Sequence, residues 1–221
     1  MKYSGNTYVI ACNTCGHPAH YEGIASSNTF GMSSWTDGFN FYPMSDNSSS
    51  LFKCYSCSNI YWLSDLKKVG YLSTHDFVED HNEVPDEIWK KSTPISEPND
   101  KELCEALNNG LFSGTSKEKE ARMISWWKSN DKYRWISDSE NGGEDLFHLD
   151  RLKNMKNLSD LLDKQNDQDI IMLAELLREA KEFKEAVNVL TNSQTNKEGF
   201  QEIYSRLNQL CLDQDFTVRK L

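Results

Sequence analysis

Cys12-Asn13-Thr14-Cys15 and Cys54-Tyr55-Ser56-Cys57 are both C-x-x-C, and residues 16–53 lie between them. No other feature restricts the fold as strongly. Two intervening residues let one tight turn aim both sulfurs of a pair at one point. Two such turns face to face offer four soft donors at tetrahedral corners. The spacing predicts a four-sulfur metal site built from Cys12, Cys15, Cys54 and Cys57, with zinc as the metal and Zn–S near ~2.3 Å. Four sulfurs leave no open coordination position, so the metal is expected to be structural rather than catalytic. Iron is the less favoured alternative, because it also accepts tetrahedral sulfur. Disulfides compete for the same residues. However, Met1-Lys2-Tyr3-Ser4-Gly5-Asn6 lacks the apolar run of a secretory leader. The expected compartment is therefore the cytoplasm, which keeps thiols reduced.

The flanking residues suit paired knuckles. Gly16 follows the first pair, and glycine accepts the positive φ such a turn needs. Ser58 stands in the matching place after the second pair, next to the tolerant Asn59. Thr7-Tyr8-Val9-Ile10-Ala11 and Leu51-Phe52-Lys53 lead into the pairs, and Ile60-Tyr61-Trp62-Leu63 leaves the second. Branched and aromatic residues favour pleated backbone. This layout resembles a zinc ribbon, two knuckles on β-hairpins clamping one metal, and it implies a small β domain over residues 1–74. Asp37-Gly38 between aromatic arms predicts an inserted hairpin. Trp35, Phe39, Phe41, Phe52, Tyr61 and Trp62 are expected to form the core of the domain. His17 and His20 lie close to Cys15, but four cysteines already complete the ligand set.

Charge argues against the commonest use of a ribbon. Residues 1–74 hold four acids and four bases, whereas residues 75–150 hold eighteen of the 34 acids and only nine of the 24 bases. A nucleic-acid surface needs a positive footprint. Four thiolates on a divalent ion would add further negative charge to the ribbon. The mix of Trp126, Trp127, Lys128, Lys132, Tyr133, Arg134 and Trp135 is accordingly read as core plus solvated face. No run approaches the ~18 apolar residues of a spanning helix, so no membrane segment is expected.

Residues 64–74 are expected to form a short helix capped by Ser64. The acidic stretch 75–100, with Pro85, Pro94 and Pro98, reads as a linker. From 101 to 221 the pattern is helical. Leu103, Cys104, Ala106 and Leu107 share one face. Thr115-x-x-Glu118 is a capping box ahead of a helix expected to carry Ala121, Ile124 and Trp127 on its apolar face, with Trp126 second to Trp127. Leu146, Leu149, Leu152, Met155, Leu158, Leu161 and Leu162 recur at helical steps. At about 170–191, Ala174 and Leu177 are followed by a turn and then by Phe183-x-x-Ala186. That order resembles a tetratricopeptide helical hairpin, with Lys181 where the family often has glycine. One repeat cannot bury its own face, so the neighbouring helices are expected to cover it.

The fold class expected is α+β: a small β zinc ribbon with an inserted hairpin, then an all-α tetratricopeptide-like domain. The whole resembles small bacterial proteins with a ribbon ahead of such a tail, a resemblance that implies architecture and no activity. No phosphate loop or nucleophile constellation emerges. The expectation is a non-enzymatic zinc-binding adaptor that takes a protein partner through its helical domain. The alternatives are a nucleic-acid- or transcription-associated ribbon and a rubredoxin-like electron carrier.

Overall fold

A computed structural model describes residues 3–47, 50–73, 89–134, 149–192 and 199–221. It is mixed α+β, a sheet region followed, among the described residues, by six α-helices. The branched run around Val9 forms β1 (Tyr3–Ala11), antiparallel to β2 (Pro18–Ser26), with Val9 opposite His20 and Ile10 opposite Ala19. Two further strands, β7 (Lys68–Ser73) and β8 (Thr93–Pro94), complete a sheet of order β7-β1-β2-β8. A separate hairpin pairs β5 (Leu51–Lys53) with β6 (Ile60–Trp62). Ile10, Ala19, Phe52 and Leu66 pack with Cys12 and Cys54 into one buried cluster, and Tyr61 and Leu63 border it.

The chain divides into two compact units, Met1–Met32 with Phe41–Asn99, and Ser33–Asn40 with Asp100–Leu221. Three expectations change here. Residues 64–73 do not form the expected helix, and residue 74 lies outside the described residues. A short 3-10 turn (Leu63–Asp65) precedes β7, whose Val69 and Tyr71 favour extended backbone and whose hydrogen bonds satisfy the edge of β1. Residues 89–99 are not a spacer either. Thr93 and Pro94 add a parallel strand to β2, Lys53 N donates to Ser96 O at 2.7 Å, and the Trp89 ring lies on Gly70. Residues 75–88 lie outside the described residues. Finally, the Asp37-Gly38 hairpin forms between β3 (Ser33–Ser34) and β4 (Asn40–Phe41), but Ser33–Asn40 belongs to the helical unit. Trp35 and Phe39 therefore serve that unit and not the ribbon core.

In the helical unit α1 (Asp100–Asn108) buries Leu103, Cys104 and Leu107, as its periodicity predicts. α2 (Glu118–Arg134) buries Trp126 fully, while Trp127 is half-buried. The expected capping contact at its start is shifted: the Glu118 carboxylate accepts from Gly114 N at 2.7 Å, while Thr115 Oγ1 accepts from Lys117 N. α3 (Leu149–Ser159) packs Met155 and Leu158 against Trp126 and Leu176, and Leu149 stays exposed. Leu146 and Trp135 fall outside the described residues. Asn166 caps α4 (Asp167–Glu179) by accepting from Gln168 N and Asp169 N. The next helices are α5 (Phe183–Asn192) and α6 (Gln201–Leu212). Ile170, Ala174, Leu190, Tyr204, Leu207 and Leu210 form the core of these last three.

The turn between α4 and α5 explains the place of Lys181. Lys181 N donates to Arg178 O at 3.0 Å and Glu182 N to Leu177 O at 2.8 Å, the Schellman arrangement, which puts Lys181 at φ 66°. Gln214 at φ 53° repeats the arrangement after α6, and Gly110 at φ 97° after α1.

Candidate metal centre

The first cysteine pair sits in the turn between β1 and β2, and the second in the turn between β5 and β6. The two turns have the same hydrogen bonds. Gly16 N donates to Cys12 O and Ser58 N to Cys54 O, each at 2.9 Å; Cys12 N donates to His17 O and Cys54 N to Asn59 O, at 3.0 and 2.9 Å. Both turns need a left-handed residue, supplied by Gly16 at φ 72° and by Ser58 at φ 59°. Asn59 does not take that role.

Together the turns bring the four sulfurs within 4.8 Å of one another. Cys12 lies 3.6 Å from Cys57 and Cys15 lies 3.6 Å from Cys54. A tetrahedral ion with Zn–S of ~2.3 Å has sulfur–sulfur edges of ~3.8 Å, so these donors fit such an ion. A disulfide needs ~2.05 Å, and all six cysteines are free thiols. His17 and His20 stand outside the group: His20 Nδ1 is 2.9 Å from Ser92 Oγ, and His17 Nε2 is 3.4 Å from Thr93 Oγ1.

The electrostatics fit a cation as well. Burial opposes ionisation of Cys12, but the backbone N–H groups of Cys15 and Thr14 and the Tyr61 hydroxyl outweigh it and bring the thiol down to about 6. At Cys57 the backbone N–H of Asn59 favours the thiolate. Even so, burial and the sulfurs of Cys12, Cys54 and Cys15 push it up to about 12. Cys54 is raised too, by burial first and by its sulfur neighbours, against the N–H groups of Cys57 and Ser56. One thiolate forms readily here; the next is opposed by the first. A divalent cation would remove that opposition and accept all four.

The second polar cluster, absent from the sequence reading, lies in the helical unit. Glu179, fully buried at the end of α4, accepts from Arg151 Nη2 at 2.6 Å, Trp126 Nε1 at 2.8 Å and Asn130 Nδ2 at 3.0 Å. Asn130 Nδ2 also donates to Asp37 Oδ2 at 2.9 Å, and the same carboxylate accepts from Arg134. The Arg134 guanidinium lies 4.2 Å from the Phe39 ring centroid. Nearby, Arg178 donates to both Glu175 oxygens, at 2.6 and 2.7 Å, and to the carbonyls of Asp215 and Thr217. Burial pushes the Asp37 carboxyl up while Arg134 and Asn130 pull against it. The side chains of Asp37, Arg134, Glu175 and Arg178 are sealed from solvent, so this is an internal ionic framework rather than a surface for a reactant.

A groove of about 430 Å³ opens in the same unit, lined by Trp35, Met123, Trp127, Ile171, Met172, Phe200 and Ile203. Gln168, Ile171 and Met172 share one face of α4, and Met123 and Trp127 share one face of α2. Among the described residues no helix is long and apolar enough to cross a membrane. No protein-family model, curated protein or solved structure matches this chain.

Proposed function

We propose that the sheet unit is a zinc-ribbon-type module whose Cys12, Cys15, Cys54 and Cys57 hold one structural zinc ion. We further propose that the helical unit, with a tetratricopeptide-like hairpin at about 170–191, receives a protein partner. The protein then acts as a non-enzymatic adaptor. The observation that carries the metal reading is the mutual approach of the four sulfurs from two turns of identical hydrogen bonding. A closed four-sulfur shell has no position for substrate. The apolar groove along α2, α4 and α6 supports the partner reading, since exposed apolar concavities are where partner segments settle. The strongest charge framework is sealed, which supports the non-enzymatic reading.

Elemental analysis of the purified full chain tests the first half. Stoichiometric zinc in a colourless protein is the expected result. A red, iron-loaded protein would instead support electron transfer, and metal far below one ion per chain overturns the reading. For the second half, Met172→Asp and Ile203→Asp are expected to abolish capture of partner from the source cell without changing metal content. A partner retained by both variants refutes the groove as the docking site.

A further inference from the structure

Tyr61 brings a phenol up to the four sulfurs. Its hydroxyl lies 3.6 Å from Cys12 Sγ and makes a short hydrogen bond with Thr14 Oγ1. Asn59 Nδ2 lies 3.0 Å from Thr14 Oγ1 and 3.4 Å from the Tyr61 hydroxyl. The direction of this chain follows from its chemistry. The asparagine amide nitrogen only donates, so Thr14 Oγ1 accepts from it, and the bond between the two hydroxyls holds Tyr61 in place. While Cys12 is a thiol its Sγ–H donates to the Tyr61 oxygen; once the sulfur is a metal-bound thiolate it has no proton, so the bond between them must run from the Tyr61 hydroxyl to Cys12 Sγ. A thiolate there is the acceptor this arrangement suits.

The two knuckles make the asymmetry visible. Tyr61 stands four residues after Cys57, and the residue four after Cys15 is Ala19, which has no polar side chain. Among the contacts of the described residues, Cys54, the counterpart of Cys12, has Cys15 Sγ at 3.6 Å and no hydroxyl, whereas Cys12 has Cys57 Sγ at 3.6 Å and the Tyr61 hydroxyl as well. Tyr61 is held by β6 and packs against the Ile10–Phe52 cluster, so its ring is anchored independently of the sulfur.

We infer that Tyr61, oriented by Thr14 and Asn59, is a positioning residue of the metal centre: its hydroxyl donates to Cys12 Sγ and distinguishes that ligand from the other three. This inference rests on the four-sulfur reading above. A hydrogen bond to a ligating sulfur draws charge from it, which favours the bound thiolate and raises the energy of the sulfur-to-metal charge-transfer band. Outer partners of metal ligands typically contribute ~10–100-fold to affinity.

The test loads the full-length chain with Co2+, whose charge-transfer and d–d bands report its sulfur ligands, and measures Co2+ affinity by competition with a chromophoric chelator. Tyr61→Phe keeps the ring and is expected to move the charge-transfer envelope to lower energy and weaken Co2+ by roughly tenfold or more. Thr14→Val frees the phenol from its orienting partner and should shift the band the same way by less. Its exposed position guards against a folding artefact. A tetrahedral four-sulfur spectrum in the parent with unchanged band and affinity in both variants overturns the role of Tyr61 alone. A parent chain that takes up no Co2+ overturns the metal reading, and this inference with it.

Discussion

Glu179→Ala should be among the most damaging single substitutions in the helical unit. The carboxylate is fully buried and accepts from Arg151, Trp126 and Asn130. Removing it deletes one side of the buried Arg151–Glu179 ion pair, which typically costs about 3–5 kcal/mol. It also leaves the buried Trp126 indole N–H without its acceptor, a loss of about 1–3 kcal/mol when taken alone. The two overlap, and about 4 kcal/mol is a fair figure against a domain stability of about 5–15 kcal/mol. Urea unfolding followed by helical circular dichroism at 222 nm, with metal saturating, reads this change. A double-mutant cycle with Arg151→Ala isolates the pair. The double variant should lose less than the sum of the single variants by about 2 kcal/mol, because the second deletion removes the other half of the same pair. Costs that add to within about 0.5 kcal/mol would refute the idea that this ion pair holds the framework together.

Ser58 and Lys181 occupy left-handed backbone, where a side chain costs about 1–2 kcal/mol, so Ser58→Gly and Lys181→Gly should each raise stability by a net ~0.5–1 kcal/mol once the entropy of glycine is counted. Equal or lower midpoints in thermal melts would contradict the assigned turns. Gly70→Ala should destabilise the sheet unit by about 1–3 kcal/mol, because a Cβ there would stand 2.1 Å from the Trp89 ring; hydrogen exchange of β7 amides, faster in the variant, checks it. Metal loading must displace the protons that keep Cys57 and Cys54 neutral, since both thiols are raised. Proton release into weak buffer should therefore accompany zinc uptake, and apparent affinity should fall as pH is lowered. A pH-independent affinity between pH 6 and 8 would argue against thiolate ligation.

Legibility in the sequence followed the range of the interactions. The four cysteines, the strands leading into them, α1, and the apolar stripes of the later helices all depend on neighbours within a few residues, and spacing exposes such patterns. At Lys181 the resemblance to a helical hairpin marks only a departure from glycine; the turn still takes a left-handed residue there, whatever its side chain. At Ser58 the local rule favoured sharing the role with Asn59. The structure gives the conformation to Ser58 and turns the Asn59 amide toward Tyr61 and toward Thr14, the second a contact made only when the two knuckles meet.

What stayed hidden was set by distant partners. Lys68-Val69-Gly70-Tyr71 resembles the end of a short helix until β1 offers an unpaired edge and Trp89 fills the space above Gly70. Asp37 carries an ordinary turn signal, and nothing near it announces that Asn130 and Arg134 will meet its carboxylate. Glu175 and Arg178, or Glu118 and Arg122, sit at the spacings of everyday solvated pairs; burial alone makes them structural. The same argument explains why Trp126 rather than Trp127 is the core residue. The steps from Ala121 and Ile124 favour Trp127, yet the core position goes to the indole whose N–H finds a buried carboxylate. Trp126 reaches Glu179, on the next buried helix, whereas Trp127 reaches the carbonyl of Asp37 at the mouth of the groove. Where polar partners are buried, the hydrogen-bond geometry selects the packing, and hydrophobic pattern only narrows the choice.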